Sequence, residues 1–235
     1  MLLPSTIAVD GPAASGKSTI GGLLAGRLGY LYFDTGALYR AITWLALKRG
    51  LAIGDEEAIV ALAQAAQITI TKPTIQDGRQ YTVYADSRDI TWEIRFPEVD
   101  AQVSPVSAYP GVREALKAAH RKIGEEGQVV MVGRDIGTVI LPHADLKIYL
   151  DASLEVRAQR RYREILARGE EASYEDILAD MRRRDDIDSH RLAAPLKPAE
   201  DAIIIDTDHL SIEEVWGQVM ELLEKWQPLE EGATP

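Results

Sequence analysis

The sequence contains neither cysteine nor asparagine in its 235 residues. Without cysteine there can be no disulfide framework, thiolate metal site or cysteine nucleophile. Without asparagine, the N-K-x-D motif by which GTP-binding switches read guanine cannot be formed. Both residue types are thermolabile, and their joint absence matches the depletion that accompanies high-temperature operation. Positive charge is also scarce: 26 Lys and Arg stand against 37 Asp and Glu, a formal net charge of −11. That balance disfavours general binding to nucleic acid or an anionic membrane. A polyanionic ligand must therefore be held by a local concentration of positive charge. The four histidines, His120, His143, His190 and His209, have no metal-ligand spacing. There is no uninterrupted apolar run of about 18 residues, so no membrane span is expected. Residues 1–10 lack a basic segment followed by a long apolar core, so no signal peptide is expected and the cytoplasm is the expected location.

What is present begins with Gly11-Pro12-Ala13-Ala14-Ser15-Gly16-Lys17-Ser18-Thr19, which fits the phosphate-binding pattern G-x-x-x-x-G-K-[ST]. Ile7-Ala8-Val9 before it reads as a buried strand. Ile20, Leu23, Leu24 and Leu28 after it recur at helical spacing. A strand, a glycine-rich turn and a helix are the context this motif requires. The two glycines let the backbone wrap an anion, and the loop N–H groups and helix start form the cradle. Lys17 supplies a mobile ammonium for β- and γ-phosphates, and Ser18 a hydroxyl for Mg²⁺. The loop indicates a nucleoside triphosphate but says nothing of the acceptor.

Further along, Leu31-Tyr32-Phe33 reads as a strand and about Ala37 to Arg49 as a helix with Leu38, Ile42, Leu45 and Ala46 inward. This β-α-β-α order favours a parallel sheet with helices on its faces. Arg40 is open to two readings, a solvated helix arginine or one reaching back toward an anion beside the loop. Asp55 caps a helix to about Ala66. Ile68–Thr71 and Tyr81–Tyr84 around Asp77-Gly78 read as antiparallel strands, a break in the alternation and hence an inserted subdomain. Pro97 and Pro105 punctuate the stretch after that insert. Pro110 starts a helix to about Glu126 with Val112, Leu116 and Ala119 on one face.

Val129–Val132 is a second buried strand, ending in Gly133-Arg134-Asp135-Ile136-Gly137-Thr138. A charged pair directly after a buried strand needs a partner or a purpose. An ion pair closing the strand, a substrate clamp and a Walker-B-type magnesium ligand at Asp135 all remain open. Leu146–Leu150 is a further strand, and Ala202–Asp206 reads as a last buried one. Ser211 and Glu214 form a capping box for a final helix to about Trp226, with Val215, Val219, Leu222 and Leu223 inward. Between these strands, residues 157–191 hold nine of the 18 arginines. Arg157/Arg161 and Arg160/Glu164 share helix faces. Ser173 to Asp176 reads as another capping box, so two helices meet at a turn near Gly169. An arginine cluster in an acidic protein suits a lid over phosphates.

The chain resembles the bacterial cytidylate kinases, in the nucleoside monophosphate kinase group. The residues that carry the resemblance are Gly11 to Thr19, Asp34 to Arg40, Ser104 through Tyr109 to Leu116, Gly133 to Val139, Arg184-Asp185-Asp186 through Asp188, and Arg191 to Leu196. The resemblance covers most of residues 5 to 225. It implies a P-loop NTPase fold, three-layer α/β/α with a central parallel sheet, an inserted monophosphate-binding subdomain and a short helical lid. The implied core is about 5–66, 97–155 and 192–226, the insert about 67–96 and the lid about 156–191. The implied reaction is ATP plus CMP or dCMP to ADP plus CDP or dCDP, with Mg²⁺ accompanying ATP. By position, Ser104, Arg113 and Asp135 would read cytosine, and Thr35 stands where the family has serine or threonine. Arg40, Arg134 and Arg191 would hold the CMP phosphate, and Arg184 and Asp188 would face the sugar. Lys17, Arg157, Arg161 and Arg184 would act on the transferring phosphoryl group. The expected assembly is a monomer. Ser18-Thr19 replaces the Gly-Thr ending of some members. The nearest alternatives are kinases of the same fold for UMP/CMP, AMP or a metabolite.

Overall fold

Ile7, Ala8 and Val9 have no exposed surface, as expected of a central strand covered by helices on both faces. They lie in β1 (Thr6–Asp10). The structure, a computed structural model, describes residues 3–227. The sequence after the final helix, from Gln227, reads as a loose tail, and all of it but Gln227 lies outside the described residues. Strand β1 joins β2 (Leu31–Asp34), β6 (Val129–Gly133), β7 (Leu146–Asp151) and β8 (Ile203–Asp206) in one parallel sheet, ordered β2-β6-β1-β7-β8. The sheet is flanked by α1 (Lys17–Leu28), α2 (Gly36–Lys48), α5 (Pro110–Glu125) and α8 (Ile212–Lys225). It is the α/β P-loop architecture. The register sets Asp10 beside Gly133 and Tyr149, and Asp34 beside Val132. The strand ends, and the loops after them, therefore meet along one edge of the sheet, where ligands bind in open α/β folds.

A second sheet, β3 (Ile68–Thr71), β4 (Thr82–Ala85) and the short β5 (Arg88–Asp89), is antiparallel. It is preceded by α3 (Glu56–Ala65), whose N-cap Asp55 accepts from Ala58 N. Tyr81 stacks on Tyr32 with ring centroids 6.0 Å apart, tying this sheet to the core. Then comes α4 (Pro97–Ala108), which packs against α2, α5 and α7 (Tyr174–His190). The remaining helix, α6 (Leu154–Ala167), pairs with α7 across a turn with Gly169 at φ 77°.

Several sequence expectations need correction. The two prolines do not interrupt the chain after residue 96: Pro97 sits at the first position of α4, where no N–H is needed, and Pro105 lies within it. Strand β8 is an edge strand, with only Ile205 buried and Ile204 58% exposed. Leu23 of α1 and Ala119 of α5 face outward, and the inward position falls one residue on, at Leu24 and His120. His120 is a core residue between Phe33 and Tyr39, its pKa pushed down to about 4 chiefly by burial. At α7, Ser173 Oγ accepts from Asp176 N, so half of the expected capping box is present, whereas both halves are present at Ser211/Glu214. Arg160 donates to Thr207 rather than pairing with Glu164, which takes Arg161 instead.

Candidate active site

The phosphate loop comes directly after β1. Gly11 has φ 147°, and a Cβ there would lie 2.1 Å from the carbonyl oxygen of Leu150, so only glycine lets the loop start this close to β7. Gly16, at φ 95°, is the N-cap of α1. Ser15 Oγ is buried and has no hydrogen-bond partner among the described residues. Lys17 is buried, and its Nζ donates to Pro12 O at 2.5 Å. Burial, and next the charge of Arg134, push its pKa down to about 7. Among the described residues no carboxylate lies within ion-pair distance of Lys17. It is an amine kept in reserve, ready to take up charge beside an anion.

The loop is closed from the other side by α6. Arg157 donates through Nε to Ala152 O at 2.9 Å and through Nη1 to Ala13 O at 3.2 Å, and it pairs with Asp185 of α7 at 2.5 Å. Asp10 braces the neighbouring strand end. Its two carboxylate oxygens accept from Ile136 N (2.8 Å) and Gly137 N (2.7 Å), in a single π-helical turn, Ile136–Ile140, just after Asp135. Burial raises the Asp10 pKa to about 6, despite those two bonds. The end of β1 and the Arg134-Asp135 segment are thus one unit.

Beyond that brace, the expected acceptor residues form a nearly buried chain of alternating charge. Arg113 pairs with Asp135, Asp135 faces Arg191 at 3.3 Å, Arg191 faces Asp188 at 3.5 Å, and Asp188 pairs with Arg134. Arg113 also lies over the Tyr39 ring, 5.2 Å from its centroid, and donates to Ser107 O. Of the readings open for Arg134-Asp135, an ion pair between the two does not form: Arg134 pairs with Asp188, and Asp135 with Arg113 and Arg191. A carboxylate set between two guanidiniums is a poor magnesium ligand. Ser104 is buried in α4, and Thr35, buried at the start of α2, donates through Oγ1 to Val132 O at 3.1 Å. Arg40 is not a solvated helix arginine: Nη2 pairs with Asp100 at 2.5 Å and Nη1 donates to Ile94 O at 3.3 Å. Arg184 and Arg161 meet the same Asp100.

A family model described as cytidylate kinase matches residues 7–225. The chain belongs to the cytidylate kinase family. It is 54% identical over 223 residues to a cytidylate kinase of Herpetosiphon aurantiacus, covering 95% of this chain and 96% of that protein. It is 48% identical to one of Chloroflexus aggregans, covering 99% of this chain and all of the relative. A bifunctional pantoate ligase/cytidylate kinase of Synechococcus is 47% identical over 94% of this chain and 42% of its own length. This member of the cytidylate kinase family is a phosphotransferase. Among its described residues no helix is long and apolar enough to cross a membrane.

Sequence reasoning about this kinase missed Asp10, Asp100 and Asp185 as organising groups. Asp185 sits in one of the motifs that carry the family resemblance and could have been found from it. Asp10 ends a strand just before the loop, a position with a weaker signal. Asp100 had none, because its helix was hidden by two prolines.

Proposed function

We propose that this kinase transfers the γ-phosphoryl group of ATP to CMP and dCMP, giving ADP with CDP or dCDP. The observation that supports this reading most strongly is the crowding of positive charge at the P-loop. Arg134 and, more weakly, Arg184, from the acceptor half, lie close enough to Lys17, in the donor half, to help depress its pKa, against the opposing charges of Asp34 and Asp10. Two polyanions meeting head-on would relieve that crowding. Gly11 to Thr19 cradle the ATP phosphates, with Lys17 at the β- and γ-oxygens. Arg40, Arg134 and Arg191 hold the acceptor phosphate, Arg184 and Asp188 lie toward the sugar, and Ser104, Arg113 and Asp135 read the base. The second sheet with its flanking loops (about 67–96) serves as the acceptor-binding insert, and α6 with α7 as the lid. Mg²⁺ would accompany the triphosphate, whose oxygens are hard ligands suited to it. Its protein ligand would be the exposed Ser18 hydroxyl at the start of α1. When bound, it supplies charge neutralisation to the phosphates.

An oxygen of the CMP phosphate attacks the γ-phosphorus in line, and the bond to the bridging oxygen of ADP breaks. No covalent enzyme intermediate is needed, so catalysis is alignment and charge stabilisation. Arg157 and Arg161 close from α6 and exclude water that would otherwise hydrolyse ATP. An ADP-release assay with CMP, dCMP, UMP and AMP side by side tests this. CMP and dCMP should show the highest kcat/KM, and a preference for AMP or UMP would defeat the reading.

The depressed Lys17 predicts a second result. Phosphate oxygens favour the ammonium form, so nucleotide binding should raise the Lys17 pKa from about 7. Above pH 7 the free enzyme holds Lys17 largely neutral, and binding must take up a proton there. Titration calorimetry at pH 8.5 in buffers of different ionisation enthalpy should report uptake approaching one proton per ATP. Uptake that is the same in Lys17→Met would sink this prediction.

A further inference from the structure

Three arginines from three helices converge on one carboxylate. Asp100, in the first turn of α4, accepts through Oδ1 from Arg40 Nη2 at 2.5 Å and faces Arg184 Nη1 at 3.4 Å. Its Oδ2 lies 3.6 Å from Arg161 Nη2. Burial opposes ionisation of Asp100, but the charges of Arg40 and Arg184 outweigh it and hold its pKa at about 2. The carboxylate is therefore a permanent anion at working pH. Glu164 also reaches Arg161, at 3.3 Å, but two carboxylates do not balance three guanidiniums. Arg184 bears the surplus: burial, and then the nearby Arg134, push its pKa down to about 10. Its Nε is buried with no hydrogen-bond partner among the described residues. The cluster is thus positive even with Asp100 in it, and it retains unused donor capacity for a group with more charge and more acceptor oxygens than a carboxylate. A phosphate dianion has both.

We propose that Asp100 is a built-in counterion that holds Arg40, Arg161 and Arg184 together until the acceptor's phosphate displaces it. This rests on the reading that these arginines serve the phosphates of the reaction. Before the acceptor binds, Asp100 keeps like-charged side chains of α2, α6 and α7 converged on α4, which would otherwise repel one another. On binding, the acceptor's phosphate takes over Arg40, which leaves Arg161 and Arg184 to the transferring phosphoryl group, and the phosphate and Asp100 compete. The competition weakens acceptor binding while preserving the geometry that receives it. Asp100 is a positioning residue, acting through the arginines.

Asp100→Asn keeps the shape and removes the charge. Its KM for CMP should fall about five- to tenfold, the scale of one charge removed at short range from a dianion in a partly screened site. Inhibition by sulfate, competitive with CMP, should strengthen by a similar factor. The gain should shrink as salt rises from about 20 mM to roughly 0.5 M, because these half-buried charges remain partly screened by salt. Binding of cytidine, which lacks the phosphate, should not change. Asp100→Ala should move CMP affinity in the same direction. A raised KM for CMP in both variants would overturn the proposal and make Asp100 a structural clasp only. Arg40→Gln separates the phosphate site from the counterion. If it leaves the KM for CMP unchanged, the assignment of the phosphate site fails. If it raises KM while Asp100→Asn does not lower it, the counterion alone fails.

Discussion

Lys17→Ala should lower kcat by about 10³-fold or more, the scale on which a preorganised group that stabilises transition-state charge is missed. The structural reason is that Lys17 differs from the arginines around it. Arg113, Arg134, Arg157 and Arg191 are clamped by aspartates, whereas the ammonium of Lys17 donates to the carbonyl of Pro12. Moving from that carbonyl to a phosphate oxygen breaks one neutral-acceptor hydrogen bond and requires no ion pair to separate. No neighbouring arginine can take its place without giving up a carboxylate. The substitution should leave folding intact. A buried lysine with a depressed pKa costs stability in its charged form, so the variant's melting temperature should equal or exceed that of the parent. Steady-state kinetics and a thermal melt check both parts. A kcat within about tenfold of the parent would remove Lys17 from the chemistry.

Asp135→Asn is the second large effect, and it falls on selectivity. If Asp135 accepts from the exocyclic amine of cytosine, its charge both attracts N4–H₂ and repels the O4 of uracil. Its two oxygens already serve Arg113 and Arg191. An ionised carboxylate has about four lone-pair sites, so capacity for the amine remains. The asparagine variant can turn an NH₂ toward uracil, and the CMP-over-UMP ratio of kcat/KM should fall by roughly 10²-fold, from loss of the attraction and the repulsion together. The alanine variant is the wrong test. It would leave two buried guanidiniums without their partner, at about 3–5 kcal/mol of stability, and lost activity would then report unfolding. An asparagine variant that melts like the parent and still discriminates as the parent does would defeat the assignment of the base-reading role.

The contrast between these two residues reflects how each was legible. Lys17 is read from nine consecutive residues, because the phosphate cradle is a local structure whose conformation the glycines and the helix start dictate. The strands β1, β2, β6 and β7 were equally legible, since a buried parallel strand is a short apolar run wherever it lies in the sheet. Strands β2 and β8 both end the sheet, but β2 is covered, with Phe33 buried and Tyr32 stacked on Tyr81, whereas Ile203 and Ile204 of β8 are left exposed, and that cover is not written in a strand's own residues. Helix α4 was hidden because proline is a local signal of interruption: Pro97 in fact opens the helix, where proline fits, and at Pro105 the surrounding helices override it.

Residue types and spacing by themselves determined a phosphate-binding loop on an α/β frame, an inserted β segment, and a stretch too rich in arginine for an acidic chain to carry without use. Through the motifs they also determined the family. The tertiary structure alone decided which carboxylate answers each arginine. Asp135 lies 56 residues from Arg191, and Asp100 lies 84 from Arg184. Such pairs are made by the packing of α4, α5 and α7 around the strand ends, and charge complementarity acts over a few ångströms in space, whatever the separation along the chain.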